Sequence, residues 1–154
     1  MRLPSKERIK RLAPNSLLAG YHFALAFLAA LLYGFPSKQI TVVGVTGTKG
    51  KSSTIEFLNA IFEEAGWKTA LLSTVRTKVD VRTTPNLTRM TMPGRFAIQK
   101  FLSDAVRSGC TIVFIEMTSE GARQNRHRFI DLDVLLFINL APEHIESHGS
   151  FERY

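Results

Sequence analysis

The chain has 154 residues, with 20 Lys and Arg against 13 Asp and Glu and a formal net charge of +7, a length that suits one globular unit. Hydrophobic residues at 45% and charged residues at 21% exclude a mainly disordered or fibrous chain. The single cysteine, Cys110, excludes an intramolecular disulfide and a multi-cysteine metal site, and points to a reducing compartment, expected to be the cytoplasm.

Arg2, Lys6, Arg8, Lys10 and Arg11 against Glu7 put +4 of the charge into the first dozen residues. The remainder is mildly basic and lacks a basic stripe with interleaved aromatics, so no nucleic-acid partner is expected. Ser16 to Phe35 is an apolar run of about twenty residues without Asp, Glu, Lys or Arg, close to bilayer-spanning length. It has no small-residue cleavage site before Pro36, which argues against a secretory signal. A spanning helix would place everything after Pro36 outside the cell under the positive-inside rule.

From Gln39 the pattern becomes one of short apolar strands and helical periods. Ile40 to Val45 reads as a buried strand by its β-branched content, and Ser52 to Ala65 as a helix with Ile55, Leu58, Ile61, Phe62 and Ala65 on one face and Gly66 as its stop. Trp67 to Ser73 is a second strand. The alternation Val75, Thr77, Val79, Val81, Thr83 predicts an exposed hairpin before Pro85 and Asn86. Pro93 to Ser108 predicts a helix with Phe96, Phe101, Leu102, Ala105 and Val106 inward, and Cys110 to Ile115 and Val134 to Ile138 are further continuous apolar strands. The expected class is α/β: a parallel sheet with helices on both faces, preceded by an apolar N-terminal helix. Residues 1–38 form the basic tail and apolar helix, and 39–154 the α/β part.

The stretch Gly44-Val-Thr-Gly-Thr-Lys-Gly-Lys-Ser-Ser-Thr54 lies between a strand and a helix, where a phosphate cradle belongs. Glycines let successive backbone N–H groups turn toward phosphate oxygens, and the helix N-terminus adds its positive dipole end. Thr46, Gly47, Thr48, Lys49, Gly50, Lys51, Ser52 and Ser53 are the expected ATP contacts. Lys51 would reach the β and γ phosphates, and Ser52 would offer a hydroxyl oxygen to Mg²⁺. Val45 stands where the strict Walker A pattern has its first glycine, so the loop is a variant; with it the expected α/β fold is P-loop NTPase-like and 39–154 the nucleotide-binding part. Because ATP is inside the cell, residues 1–36 are expected either to lie on the inner membrane surface or to pack against another part of the protein.

The loop Gly44 to Ser53 closely resembles that of the Mur ligase family, the ATP-dependent amide ligases that build the peptidoglycan stem peptide. Glu116-Met-Thr-Ser-Glu-Gly-Ala-Arg-Gln-Asn-Arg126 and Asn139-Leu-Ala-Pro-Glu-His-Ile-Glu-Ser-His-Gly149 are similar to the family's next two signatures, and both follow predicted strands. Within the family the muramoyl-tripeptide synthetase branch fits best, over roughly Gln39 to Tyr154. Taken alone, Glu116 is a solvated rim carboxylate, His144 a loop histidine and Asn139 a turn residue. The resemblance implies instead that Glu116 and His144 bind metal and take part in catalysis with Lys51, and that Asn139 contacts the nucleotide base. It further implies that Thr91, Ser119, Gln124 and Arg126 contact a muramoyl-peptide precursor, to which an amino acid is added through an acyl phosphate.

Glu120 stands where a histidine is common in the family, and Glu143 where an aspartate usually precedes the histidine. The family's N-terminal uridine-nucleotide domain, its modified lysine and its C-terminal domain have no counterpart in these 154 residues, so an incomplete, inactive chain is expected. Two other functions fit the loop: a folylpolyglutamate synthase-like ligase, and a membrane-associated P-loop ATPase switch without ligase activity.

Overall fold

The structure is a computed structural model and describes residues 15–87 and 90–141. Helix α1 (Asn15–Leu32) leads through a 3-10 turn (Pro36–Gln39) to strand β1 (Thr41–Thr46) and helix α2 (Lys51–Glu64). Strands β2 (Thr69–Leu72), β3 (Arg76–Val79) and β4 (Arg82–Pro85) follow, then helix α3 (Arg95–Arg107), strand β5 (Ile112–Glu116), the short helix α4 (Ser119–Arg123) and strand β6 (Val134–Phe137). The strands form one sheet in the order β4-β3-β2-β5-β1-β6. Neighbours among β2, β5, β1 and β6 pair in parallel, whereas β3 and β4 are antiparallel additions. The sheet is therefore mostly parallel, as expected, with the hairpin expected over Val75 to Thr83 joined to it as an antiparallel extension. Only Ser73, Thr74 and Val75 join β2 to β3, too few for the crossover that parallel neighbours require.

Strand alternation divides the core in two. Val42, Ala70, Leu72, Val113 and Ile115 face α3, meeting Ile98, Phe101, Leu102 and Ala105. Val43, Val45, Leu71, Ile112 and Phe114 face α2 and pack with Ile55. Three expected core positions are on the surface: Ile61 is 62% exposed, Phe96 37%, and Ala65, at the end of α2, is exposed as well. On α2 the inward position belongs to Asn59, which accepts a hydrogen bond from Thr69 Oγ1 at 2.6 Å and donates to Glu63 Oε2 at 2.7 Å. Lys78, buried on β3, completes this network through Glu63 at 2.6 Å and Thr69 Oγ1 at 3.1 Å, so that no buried polar group is left without a partner there. A second ion pair, Arg76 with Glu56 at 2.6 Å, also ties β3 to α2.

β6 departs from the expected covered strand. It lies at the edge beside β1, and Leu135 and Phe137 are 55% and 62% exposed. A continuous apolar run signals burial on both faces, but an edge strand is covered only where layers extend over it.

α1 docks by small residues. Ala26, Ala29 and Ala30 are buried, and their short side chains let the helix approach the α3 face closely. Phe23 and Phe27 flank Phe129 edge-on, with ring centroids 5.0 and 5.4 Å away. That packing holds Phe129 at φ +61°, a left-handed conformation that costs a bulky residue on the order of 1–3 kcal/mol.

Candidate functional site

The carboxyl ends of β5, β1 and β6 lie side by side, and the site is built on the loops that leave them. Parallel strands present their free ends together, which is where α/β sheets bind ligands. After Thr46, the last residue of β1, the chain turns through Gly47, Thr48, Lys49 and Gly50 into α2, whose first turn carries Lys51, Ser52 and Ser53.

Gly47 has φ +144°, and a Cβ there would stand 2.6 Å from Ile138 Cγ1 and 3.1 Å from the backbone N and O of Asn139. Only glycine allows the loop to press this closely on the chain leaving β6. Gly50 caps α2 with φ +85° and no side chain caps that helix, so its first-turn N–H groups and dipole leave partial positive charge at the loop. The Lys51 ammonium lies against the same loop, donating to Gly47 O at 2.7 Å and Thr48 O at 3.0 Å. Such a loop, with a lysine and an uncapped helix end, is built for phosphate.

Asn139 holds this loop in shape. Its Oδ1 accepts from the N–H groups of Thr48 and Lys49, each at 3.0 Å, and its Nδ2 donates to Lys49 O at 2.9 Å. The Thr48 hydroxyl adds contacts with Ala141, accepting from its N–H at 2.9 Å. The expectation for Asn139 was contact with a nucleotide base; here its amide is engaged with the loop backbone on both sides, an arrangement that orients the cradle.

Glu116, the last residue of β5, is 3% exposed. Its Oε2 accepts from Ser52 Oγ at 2.9 Å, from Thr74 N at 2.8 Å and from Thr74 Oγ1 at 3.0 Å. It is a buried, anchored carboxylate rather than a solvated rim residue. Ser52 and Glu116 together present hard oxygen atoms of the kind Mg²⁺ prefers. No cluster of three or more His, Cys, Asp or Glu suited to a metal exists among the described residues. His144 lies outside the described residues.

Thr74 was not anticipated from the sequence. Its hydroxyl is also 2.7 Å from Thr91 Oγ1, so it joins the Glu116 carboxylate to the segment entering α3. The available signal was a hydroxyl residue just past the end of a predicted parallel strand. Thr91, Gln124 and Arg126 fall on one side of the site. Arg126 donates to Met92 O and, at 2.7 Å, to Gln124 Oε1, while Gln124 Nε2 donates to Glu120 at 3.0 Å. Glu120, the expected departure from the family pattern, thus orients Gln124. Ser119 opens α4 next to Thr118, whose side chain caps that helix by accepting from Gly121 N.

A second unanticipated residue is Arg95, which donates to Gln124 O. Burial and, after it, the Arg126 charge hold the Arg95 guanidinium below its usual range, and its Nε is buried without a partner among the described residues. Two guanidiniums converging on Gln124 favour an anion between them, and arginine suits a carboxylate through paired N–H donors.

Beside the loop a cleft of about 340 Å³ is lined by Thr46, Gly47, Ser119, His127, Leu135 and Phe137, among others. His127 Nδ1 is buried there without a partner among the described residues. Burial, and secondly the Arg128 charge, lower its pKa, which keeps the ring neutral at pH 7.

Residues 45–154 match the profile described as Mur ligase middle domain. The chain is 37% identical over 133 residues to a UDP-N-acetylmuramyl-tripeptide synthetase of Treponema pallidum, covering 85% of this chain and 25% of that protein. A synthetase of the same name from Roseiflexus sp. is 38% identical over 133 residues, with 85% and 26% covered. Among solved structures, a UDP-N-acetylmuramoyl-L-alanyl-D-glutamate--2,6-diaminopimelate ligase aligns with TM-score 0.64 and 27% identity over 75% of this chain and 23% of its own. E. coli FolC in complex with DHPP and ADP aligns with TM-score 0.64 over 92% of this chain and 42% of its own, at 20% identity, and shares the fold alone. The chain spans about a quarter of the length of the curated relatives it matches.

Proposed function

Because the chain belongs to the Mur ligases and carries their middle domain, we propose that it is the nucleotide-binding part of an ATP-dependent ligase acting in the cytoplasm, joining an amino acid to a muramoyl-peptide precursor. The observation that carries this reading is the meeting of the phosphate loop with Glu116 through Ser52, beside the Arg95, Gln124 and Arg126 group. In such a ligase the γ-phosphoryl group of ATP passes to a carboxylate oxygen, ADP leaves, and the incoming amine then displaces phosphate to form the amide. The protein must bring together two anions, the carboxylate and the triphosphate.

The residues divide that work. Loop N–H groups, the α2 dipole and Lys51 would hold the phosphates. Ser52 and Glu116 would hold Mg²⁺, which when bound offsets charge on the transferring group. Asn139 takes up the N–H groups of Thr48 and Lys49 and so fixes the loop's shape, and Thr74 couples Glu116 to Thr91. Arg126 and Arg95 would orient the precursor's carboxylates, with Ser119 at the edge of the same group.

Calorimetric titration with ATP, with and without Mg²⁺, tests the nucleotide site. Saturable binding strengthened by Mg²⁺ and lost in Lys51→Ala is expected; binding indifferent to Lys51 would overturn it. Phosphate release by the protein together with whatever sequence its gene encodes beyond these residues tests the ligase. Release should require both a muramoyl dipeptide and an amino acid. Release with a folate acceptor would favour the folylpolyglutamate synthase reading, and release without any acceptor the ATPase switch.

A further inference from the structure

We infer that Thr74 is a positioning residue that makes the metal-nucleotide site and the precursor site bind cooperatively, by turning one hydroxyl proton between Glu116 and Thr91. This coupling rests on the ligase reading of the two sites and names how they communicate. Thr74 Oγ1 is 3.0 Å from Glu116 Oε2 and 2.7 Å from Thr91 Oγ1. A hydroxyl has one proton to donate and accepts through its lone pairs, so the three groups form a chain that runs in one of two directions. In the first, Thr91 donates to Thr74 and Thr74 donates to Glu116. In the second, Thr74 donates to Thr91, whose own proton is then free for an acceptor atom of the precursor.

The surroundings permit both directions. Glu116 Oε2 also accepts from Ser52 Oγ at 2.9 Å and from the Thr74 backbone N–H at 2.8 Å, so the buried carboxylate keeps donors when the Thr74 hydroxyl turns away. Asn86 holds the two threonines at their separation: its Nδ2 donates to Ser73 O at 2.8 Å and to Met90 O at 2.9 Å, and its backbone N–H to Val75 O at 3.0 Å. Those carbonyls belong to the residues on either side of Thr74 and to the one before Thr91. Arg76 adds its ion pair with Glu56 on α2, so the backbone is braced and the freedom lies in the hydroxyl protons.

Each site biases the direction. Glu116 oxygens drawn on by Mg²⁺ are poorer hydrogen-bond acceptors, which favours the second direction. Thr91, once it donates to a carboxylate or carbonyl of the precursor, is polarised into a better acceptor for Thr74, which favours the same direction and leaves a Glu116 lone pair for the cation. Occupation of either site therefore raises the affinity of the other by the same factor, as linkage requires.

Calorimetry on the protein together with whatever sequence its gene encodes beyond these residues is the test. A muramoyl dipeptide is titrated with and without Mg²⁺ and an ATP analogue whose β–γ bridge resists hydrolysis, and the ratio of the two affinities is read. In the parent protein the affinity should rise about fivefold or more. Thr74→Val, which keeps the side-chain shape and removes the hydroxyl, should lower that ratio by about threefold or more, and Thr74→Ser should restore it. In a Thr91→Val background, Thr74→Val should change the ratio no further. A partly unfolded sample changes the number of sites and not the ratio, and a thermal melt of each variant measures the unfolded share. If the parent fails to bind either the analogue or the dipeptide, the ligase reading falls and the coupling with it. If both bind and the ratio in Thr74→Val equals that of the parent, or Thr74→Ser behaves as Thr74→Val does, the coupling alone is overturned.

Discussion

Ser52 Oγ and Glu116 Oε2 lie 2.9 Å apart although 64 residues separate them in the chain. The parallel pairing of β1 with β5, in which Val45 is opposite Glu116, brings the first turn of α2 and the end of β5 to one point. Glu116→Gln keeps an oxygen for the three donors but removes the charge. Folding stability should fall by about 1 kcal/mol, within the range for a weakened charge-assisted hydrogen bond, while the Mg²⁺ enhancement of ATP binding should drop at least about tenfold. Urea denaturation and calorimetry measure the two separately. An unchanged Mg²⁺ effect would remove Glu116 from the metal site.

Gly47→Ala should be the most damaging single change in the loop. A methyl group 2.6 Å from Ile138 Cγ1 and a backbone held at φ +144° combine overpacking with strain, about 2–4 kcal/mol together. Gly50→Ala, whose Cβ meets nothing closer than 3.6 Å, bears the left-handed cost alone, about 1 kcal/mol. Urea midpoints of the two variants should separate accordingly.

Asn139→Ala removes one donor and an acceptor that serves two N–H groups. With partial replacement by water the expected loss is about 1–3 kcal/mol. Nucleotide affinity should fall with it, because the Thr48–Lys49 backbone loses its tie to the chain leaving β6 and the cradle its fixed shape. If Asn139→Ala keeps full affinity for ATP in calorimetry, the loop does not depend on this clamp.

Stability should carry a signature of His127. Its folded pKa lies below the unfolded value of about 6.5, so the fold favours the neutral ring. Above the unfolded pKa the group adds no pH dependence; as pH falls through it toward the folded value, the unfolded chain takes up the proton first and stability declines. The decline as pH falls below about 6.5 should be smaller in His127→Leu than in the parent chain, compared by urea denaturation at each pH.

Cys110 is 6% exposed, and burial raises the pKa of its thiol. A thiol-disulfide reagent at pH 8 should therefore label it slowly in the native state and promptly in denaturant. Prompt native labelling would mean that the β5 entry opens readily.

The sequence by itself determined the local elements, since strand and helix signals are periodic and lie within a few residues of one another. The Ile40 to Val45 strand, the glycine loop and the helix after it formed a unit readable without any distant contact, and so did the Val75 to Thr83 alternation that became β3 and β4. What depended on long-range pairing was decided only by the tertiary structure. The antiparallel direction of β3 follows from a connection too short to cross the sheet. The roles of Thr74, Asn139 and Arg95 follow from which strand ends become neighbours, and a hydroxyl, amide or guanidinium carries no periodic signal of its partner. The inward face of α1 was hidden for the same reason: every side of that helix is apolar, so hydropathy gave no direction, and only the close packing of Ala26, Ala29 and Ala30 shows which side meets the body and which side is left with its leucines outward.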